Sequence, residues 1–188
     1  MKNLVEPIKS KKDIERIEQY LAKHSLRNRL IFVFSCNTGL RISDVLALNV
    51  EDVKNKHYVE IIEKKTKKYK RFPLNNKLRK LIREYLELER SKTYALSDEE
   101  PLFVGKKHCR LDRSQVYRFL NEACENLKID INCGTHSCRK AYGYHFYNKT
   151  HNIALLQKIF NHSSPSITLR YIGIDQEEID EAYLDFEL

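Results

Sequence analysis

Five side chains of this sequence have the chemical types and the spacing that attack on a phosphodiester requires. Arg41 stands in the segment TGLRISDVLAL, directly after an apolar stretch. His136 and Arg139 are three residues apart in THSCRKAYGYHF, a spacing that puts both on one face of a helix. Tyr171 follows His162 by nine residues in IFNHSSPSITLRYIG. All five stand near the predicted ends of structural elements, where side chains from distant segments can meet.

The chemistry that this set predicts is phosphoryl transfer. Guanidinium groups bind the non-bridging oxygens of a phosphate bidentately and offset the charge that develops on phosphorus. Imidazoles donate hydrogen bonds or accept the proton of a nucleophile. A phenol, with a pKa of about 10 in water, needs that help to attack at neutral pH. Each residue alone has an ordinary structural explanation, such as a helix-end cation or a core tyrosine, so the prediction depends on their joint order and spacing.

These segments resemble the signature boxes of the tyrosine recombinases, the phage-integrase family that includes the lambda, Cre and Xer enzymes. The family pattern has an arginine in a TGLR box, a hairpin lysine, an H-x-x-R box, a histidine in an HSS box and a tyrosine nine residues later. The matching span, roughly 26–172, covers most of the chain. The resemblance implies the tyrosine recombinase catalytic-domain fold. It also implies an enzyme that cleaves and rejoins DNA strands through a 3′-phosphotyrosine intermediate, with no metal, ATP or other cofactor.

The resemblance also implies a role for each residue. Tyr171 would attack the scissile phosphate and release a 5′-hydroxyl. Arg41 and Arg139 would clamp the phosphate, while His136 and His162 would hydrogen-bond to it and assist proton transfer.

The hairpin lysine must be chosen from the basic segment EKKTKKYKRFPL. In family members it precedes by eight residues a proline that follows the third strand, and counting back from Pro73 leads to Lys65. We therefore predict that Lys65 protonates the leaving oxygen, with Lys64, Lys67 and Lys68 as alternatives. The predicted DNA-binding residues of this segment are Lys64, Lys67, Lys68, Lys70 and Arg71.

The charge distribution predicts a polyanionic partner. The chain has 34 Lys and Arg against 26 Asp and Glu, a net charge of +8. Residues 175–188 hold seven of the acids and no Lys or Arg, so the remainder carries 34 bases against 19 acids, or +15. A basic body favours a nucleic acid as partner, although a solvated lysine-rich face would have the same composition. With the resemblance, we expect double-stranded DNA bound by a homotetramer, and a monomer or weak dimer without DNA.

Hydrophobic periodicity predicts a mainly helical fold with a small three-stranded antiparallel sheet, an α+β arrangement. The predicted strands are 50–53, 58–62 and 69–74. The predicted N-caps are Ser10, Ser43, Asn75 or Asn76, and Asp112 or Ser114. Further helices are expected at 26–37, 136–148, 153–160 and 165–171.

We expect one catalytic domain over residues 1–188, with an acidic amphipathic helix at about 175–188. In related recombinases such a helix docks on a neighbouring protomer, so exchange between subunits is expected here. Only about nine residues precede the first predicted helix, so no N-terminal core-binding domain is expected. In this respect the chain resembles the compact fimbrial-switch invertases.

Metal, export and membrane functions are not predicted. Five scattered cysteines without an export signal are expected to be reduced. Cys133, His136 and Cys138 lie close together, but a structural zinc site needs a second ligand pair, so no metal is expected. No apolar run reaches the roughly 18 to 20 residues of a membrane span. The expected location is the cytoplasm, in association with the nucleoid.

Two alternatives remain at this stage. A topoisomerase could use the same tyrosine chemistry, and a non-catalytic DNA-binding regulator could keep the same scaffold. The sequence also departs from the family pattern at two positions: Lys140 stands where a second histidine is common, and Asn161 stands where glycine is common. We expect Asn161 to need a positive φ, which asparagine tolerates better than most residues.

Overall fold

The computed structural model describes residues 5–90, 97–105, 109–174 and 184. In these residues the fold is mainly helical, with one two-stranded antiparallel sheet. The helices are α1 Lys11–His24, α2 Leu26–Thr38, α3 Ile42–Val45, α4 Asn76–Tyr85, α5 Arg113–Asn126, α6 Ser137–Thr150, α7 Ile153–Phe160 and α8 Pro165–Ile172, and the strands are β1 Tyr58–Ile62 and β2 Tyr69–Pro73. A π-helical turn, Leu86–Arg90, continues α4.

Helix α2 is the centre of the main core. It is apolar nearly all round, and it packs against α1, α4 and α6. A helix that is hydrophobic on every side must be surrounded, which explains this position. It ends at Gly39, whose φ of 62° is the left-handed conformation that commonly terminates helices.

Three of the predicted caps are confirmed and one is wrong. The side chains of Ser10, Asn75 and Asp112 accept hydrogen bonds from the first turns of α1, α4 and α5. Ser43, however, lies within α3, because Arg41 is the N-cap and its carbonyl accepts from the amide of Val45 at 3.1 Å. The boundary matters because it puts Arg41 at a helix N-terminus, immediately after the end of α2.

The predicted first strand, 50–53, is also wrong, so the described sheet has two strands rather than three. These residues form consecutive turns, in which the amides of Val53 and Lys54 donate to the Val50 carbonyl at 3.2 and 2.9 Å. Val50 and Val53 are both buried. A strand with one buried face would put these two residues on opposite sides, whereas a turn lets both face the core, and here burial overrides β propensity.

The hairpin of β1 and β2 has one face turned to the core and one turned outwards. In the register Tyr58 pairs with Pro73 and Ile62 with Tyr69. On the inner face, Phe72 meets Phe34 of α2 edge to face at 6.3 Å between ring centroids. The outer face is exposed and carries aromatic and charged side chains. Contacts of the inner face with the core therefore fix the orientation of the hairpin.

A second cluster holds α6, α7 and α8 together around Leu156, Phe160 and Ile172, all of them fully buried. Gly143 of α6 permits this close approach. A Cβ there would lie 2.6 Å from Ile172 Cγ2 and 2.7 Å from Phe160 Cε2. The predicted acidic helix at 175–188 lies outside the described residues, apart from Leu184. None of the helices in the described part of the chain is long and apolar enough to cross a membrane.

Replacing Gly143 by alanine is expected to lower the free energy of unfolding by about 1–3 kcal/mol, the usual cost of overpacking, despite the better helix propensity of alanine. The matched control is Gly105→Ala, whose Cβ would come no closer than 3.6 Å to its neighbours. Urea unfolding measures both variants. Equal unfolding midpoints for the two would contradict the tight contact between α6, α7 and α8.

Candidate active site

Arg139 lies at the centre of the candidate site, on the first turn of α6. Its guanidinium donates to the backbone carbonyls of Gly39 and Phe160, the second at 3.0 Å, and lies 4.2 Å from the centroid of the Phe160 ring. The two carbonyls stand at the C-terminal ends of α2 and α7, where backbone oxygens carry partial negative charge. Arg139 is 2% exposed, so these contacts hold a buried cation in one orientation where three helices meet.

Tyr171 and two histidines lie beside Arg139. The Tyr171 hydroxyl is 3.1 Å from His136 Nδ1, within hydrogen-bond distance. The ring of His162 is 5.1 Å from the Tyr171 ring, centroid to centroid, and its Nδ1 is 3.1 Å from Thr168 Oγ1. The last turn of α8 therefore presents the phenol hydroxyl to the N-terminal end of α6.

Local sequence explains how α7 and α8 reach this arrangement. Asn161 ends α7 with φ at 53°, which confirms the expected positive φ. The Ser164 side chain then accepts from the amide of Ile167 at 3.3 Å, and Pro165 occupies the first turn of α8. The left-handed residue and the new cap form a tight connection, and it carries His162.

Arg41 is paired with a buried carboxylate. Its Nη1 lies 3.2 Å from Oε1 of Glu63, and its side chain is 15% exposed. Glu63 is fully buried, and its Oε2 accepts from Thr66 Oγ1 at 2.6 Å and from Asn161 Nδ2 at 2.8 Å. The pair joins the α2–α3 corner to the hairpin and to the end of α7.

Lys65 lies in the turn between β1 and β2, as predicted from the sequence. The backbone holds this turn at two points: the Glu63 amide donates to the Lys68 carbonyl at 2.9 Å, and Asp44 Oδ1 accepts from the Lys64 amide at 2.9 Å. Four lysines of the turn are exposed, namely Lys64, Lys65, Lys67 and Lys68. Hydrogen bonds thus hold the backbone of the turn in place, while its lysine side chains remain exposed to solvent.

The two remaining predicted DNA contacts lie in different surroundings. Lys70 points inwards: its Nζ donates to the Ile159 carbonyl at 2.8 Å, lies 3.9 Å from Glu63 Oε1, and its side chain is 13% exposed. Burial lowers the pKa of Lys70 to about 8, although the charge of Glu63 opposes this shift. Arg71 lies on the outer face, over the ring of Tyr58. Any contact of Lys70 with DNA would have to be made from within the site.

The positive charge of the site affects its titrating groups. Partial burial, reinforced by the charges of Arg139 and Arg41, lowers the pKa of His162 to about 4. Desolvation and then Arg139 also lower the pKa of His136. Burial raises the pKa of Tyr171, while Arg139 lowers it in part. Both imidazoles are therefore neutral at pH 7 and able to accept a proton, and the phenol is protonated.

The structure brings the predicted catalytic residues together. The guanidinium carbon of Arg139 lies 6.0 Å from the centroid of the Tyr171 ring, and Glu63 links Arg41 to Asn161, the residue before His162. The full set comprises Arg41, Lys65, His136, Arg139, His162 and Tyr171. The contacts that connect the other five residues are a structural finding, whereas Lys65 is placed only by its position in the hairpin turn, and the role of each residue stays a prediction.

Sequence reasoning missed the buried acids of the site. Glu63 stands in the basic segment EKKTKKYKRFPL and Asp44 in TGLRISDVLAL, and neither is among the predicted site residues. Strand alternation offered a signal, because Glu63 follows the inward-facing Val59 and Ile61 at steps of two. An acid at such a position is expected to face the core, where it needs a cationic partner.

The cysteine and histidine triplet considered for a metal does not form a ligand cluster. Within residues 5–90, 97–105 and 109–174, no group of three or more His, Cys, Asp or Glu side chains is arranged to hold a metal ion. Cys133 and Cys138 are both buried thiols.

Comparison with known proteins shows which family of proteins has this sequence pattern. The model of the phage integrase family matches residues 9–178. The chain belongs to the phage integrase family. A probable integrase/recombinase of Bacillus subtilis, YoeC, is 42% identical over 185 residues, which cover 98% of this chain and 98% of the relative. The tyrosine recombinase XerC of Thermodesulfovibrio yellowstonii is 26% identical over 160 residues, covering 84% of this chain and 53% of the relative. The chain therefore spans about half the length of such XerC relatives.

Solved structures of the family share the fold. The crystal structure of XerA recombinase matches with a TM-score of 0.77 at 20% identity, covering 97% of this chain and 65% of that one. The catalytic domain of bacteriophage HP1 integrase matches with a TM-score of 0.64 at 20% identity, covering 97% and 95%. At these identities the likeness establishes the fold, which is that of a tyrosine recombinase catalytic domain.

We expect His162 to make the stability of the protein depend on pH. Its folded-state pKa, about 4, lies below the ~6.5 of an unfolded histidine. Between these values the unfolded chain binds more protons, so the free energy of unfolding falls as the pH falls from about 6.5 to 4. His162→Gln removes this contribution and should lose less stability than the parent between pH 7 and pH 4. Urea unfolding at both pH values tests this, and equal losses would show that His162 is not desolvated as described.

Proposed function

We propose that this chain is the catalytic domain of a site-specific DNA recombinase that cleaves and rejoins DNA through Tyr171. That it is a recombinase of the integrase class follows from its family and from relatives named integrase/recombinase and tyrosine recombinase. The proposed nucleophile rests on one observation above all. The Tyr171 hydroxyl lies 3.1 Å from a histidine nitrogen, beside the buried cation Arg139.

In the proposed reaction Tyr171 Oη forms a bond to phosphorus while the bond from phosphorus to the 5′ oxygen breaks. The phenol proton passes to a neutral imidazole, His136 being the nearer at its oxygen. Arg41 and Arg139 offset the charge on the phosphate oxygens. Lys65 gives a proton to the departing 5′ oxygen. Because the 3′-phosphotyrosine conserves a phosphodiester bond, the reverse attack by a new 5′-hydroxyl rejoins the strand without ATP.

The proposed partner is double-stranded DNA. The exposed lysines of the hairpin turn project from the same turn that carries Lys65, and they would hold the phosphates on either side of the scissile one. One of the solved structures with this fold is the XerH site-specific recombinase bound to a palindromic difH substrate. We propose that this chain likewise binds a recombination site, assembles there as a tetramer and exchanges its acidic C-terminal segment between subunits. The proposed location is the cytoplasm, where bacterial DNA lies.

Tyr171→Phe is expected to abolish covalent adduct formation while leaving DNA binding nearly unchanged, because only the attacking oxygen is removed. The assay uses a duplex that contains a site selected from random DNA by binding to this protein, with a nick that traps the cleaved strand. Denaturing gels measure the adduct, and a mobility-shift titration measures binding. Tyr147→Phe removes a phenol hydroxyl elsewhere in the same cluster and should form the adduct like the parent. Adduct formation by Tyr171→Phe would refute the assignment.

Lys65→Ala is expected to slow cleavage by ~10² to 10⁴, the usual range for loss of a general acid. On a duplex with a 5′-bridging phosphorothioate, the thiolate leaves without protonation, so the variant and the parent should cleave at similar rates. Lys68→Ala, from the same turn, is the control and should retain the parent's rate on the ordinary duplex if it only holds phosphate. A defect of Lys65→Ala that is equally large on both duplexes would reassign Lys65 to phosphate binding.

A further inference from the structure

Glu63 has surroundings that an ordinary hairpin residue would not need. It is fully buried, yet four polar groups from three parts of the chain face its two oxygens. Oε2 accepts the hydroxyl of Thr66 at 2.6 Å and the amide of Asn161 at 2.8 Å. Oε1 faces Nη1 of Arg41 at 3.2 Å and Nζ of Lys70 at 3.9 Å. One carboxylate thus joins the phosphate-binding arginine, the turn that carries Lys65 and the residue next to His162.

The charge of Glu63 is retained in this buried place. Burial by itself would raise the pKa of the carboxyl, but hydrogen bonds from Thr66 and Asn161 and the charges of Lys70 and Arg41 outweigh it and hold the pKa below its ordinary value. A buried cation without a counter-charge is strongly destabilising. Glu63 therefore supplies the negative charge that offsets the charges of Arg41 and Lys70 when no phosphate is bound.

The geometry leaves part of Arg41 available to a ligand. Nη1 is the buried atom that faces Glu63 Oε1, at 3.2 Å, and within the described part of the chain this contact is an ion pair in which neither atom makes a hydrogen bond. Since a guanidinium has donors on three nitrogens, the attraction between Nη1 and Glu63 holds one end of the group and leaves the donors of the other two nitrogens outside this contact. The pairing with Glu63 thus orients Arg41 without using all of its donors.

We propose that Glu63 is a positioning residue for strand cleavage: it orients Arg41 towards the scissile phosphate and fixes the turn of Lys65 relative to the loop of His162. This inference rests on the proposed function. Glu63 would touch neither the DNA nor the reacting atoms. Its effect would pass through Arg41, and through the hydrogen bonds that join residues 63–68 to the end of α7.

Glu63→Gln tests the proposal, because the amide keeps the shape of the side chain and removes its charge. Single-turnover cleavage of the nicked duplex at saturating protein is expected to slow by ~10- to 100-fold, as misplacement of a catalytic group commonly does. The Kd for DNA should change less than threefold, since the exposed lysines are untouched. Glu60→Gln is the matched control: Glu60 lies on the outer face of the same hairpin with a side chain 60% exposed, and this variant should cleave at the parent's rate.

A double-variant comparison separates positioning from general loss of structure. If Glu63 acts through Arg41, adding Glu63→Gln to Arg41→Ala should slow cleavage by no more than about threefold beyond Arg41→Ala alone. A full additional loss would show that Glu63 does not act through Arg41 and would overturn the proposed orientation of that arginine by Glu63. Cleavage by Glu63→Gln at the parent's rate would overturn it as well.

Two further measurements distinguish a failure of this inference from misfolding of the variant and from failure of the proposed function. Should Glu63→Gln fail to fold in urea titrations, Thr66→Val carries the test, since it removes one hydrogen bond to the carboxylate and keeps the side-chain shape. It should cleave several-fold more slowly than the parent, and the parent's rate would overturn the proposal. A parent protein that forms no adduct on the nicked duplex would remove the proposed function and this inference with it, whereas a parent adduct with an unaffected Glu63→Gln variant removes the inference alone.

Discussion

The packing of this protein depends on the contacts that compensate the buried charge of Arg139. Its guanidinium bonds to carbonyls at the ends of α2 and α7 and stacks on Phe160. A buried charge tolerates little displacement, because any lost contact leaves it unpaired in a medium of low polarity. The ends of α2 and α7 are therefore held at fixed positions relative to α6. Tyr171 then packs against the same phenylalanine ring, so the orientation of the phenol depends on the contacts that hold the arginine.

A second consequence is electrostatic. The site contains the cations Arg41, Arg139 and Lys70, whereas the buried acids Glu63 and Asp44 lie beneath the hairpin and bind its turn and the arginine. The residual positive charge is located where the histidines and the tyrosine lie. Together with burial, it favours neutral imidazoles in the free protein, and it lies where the proposed reaction would bind a phosphate.

Much of this could be predicted from local sequence, and the failures have physical causes. The caps at Ser10, Asn75 and Asp112 were predictable because each depends on one side chain and the amides two or three residues ahead. The strand at 50–53 was wrong because burial of Val50 and Val53 by distant segments decided the local conformation. The inward positions of Glu63 and Lys70 depend on partners far away in the sequence, such as Ile159 and Asn161. The family boxes identified which residues meet in the site. The buried acids that pair with them could be recognised only in the folded structure.

The order of these residues along the chain has a consequence for synthesis on the ribosome. The basic hairpin turn is complete by residue 68, about 100 positions before Tyr171, which comes last of the proposed catalytic set. A nascent or prematurely terminated product therefore has the segment that attracts phosphates but lacks the group proposed to break the strand. In the proposed reaction, covalent attack becomes possible only after α8 has emerged and packed on Phe160 and Gly143, by which time the residues proposed to bind phosphate have been made.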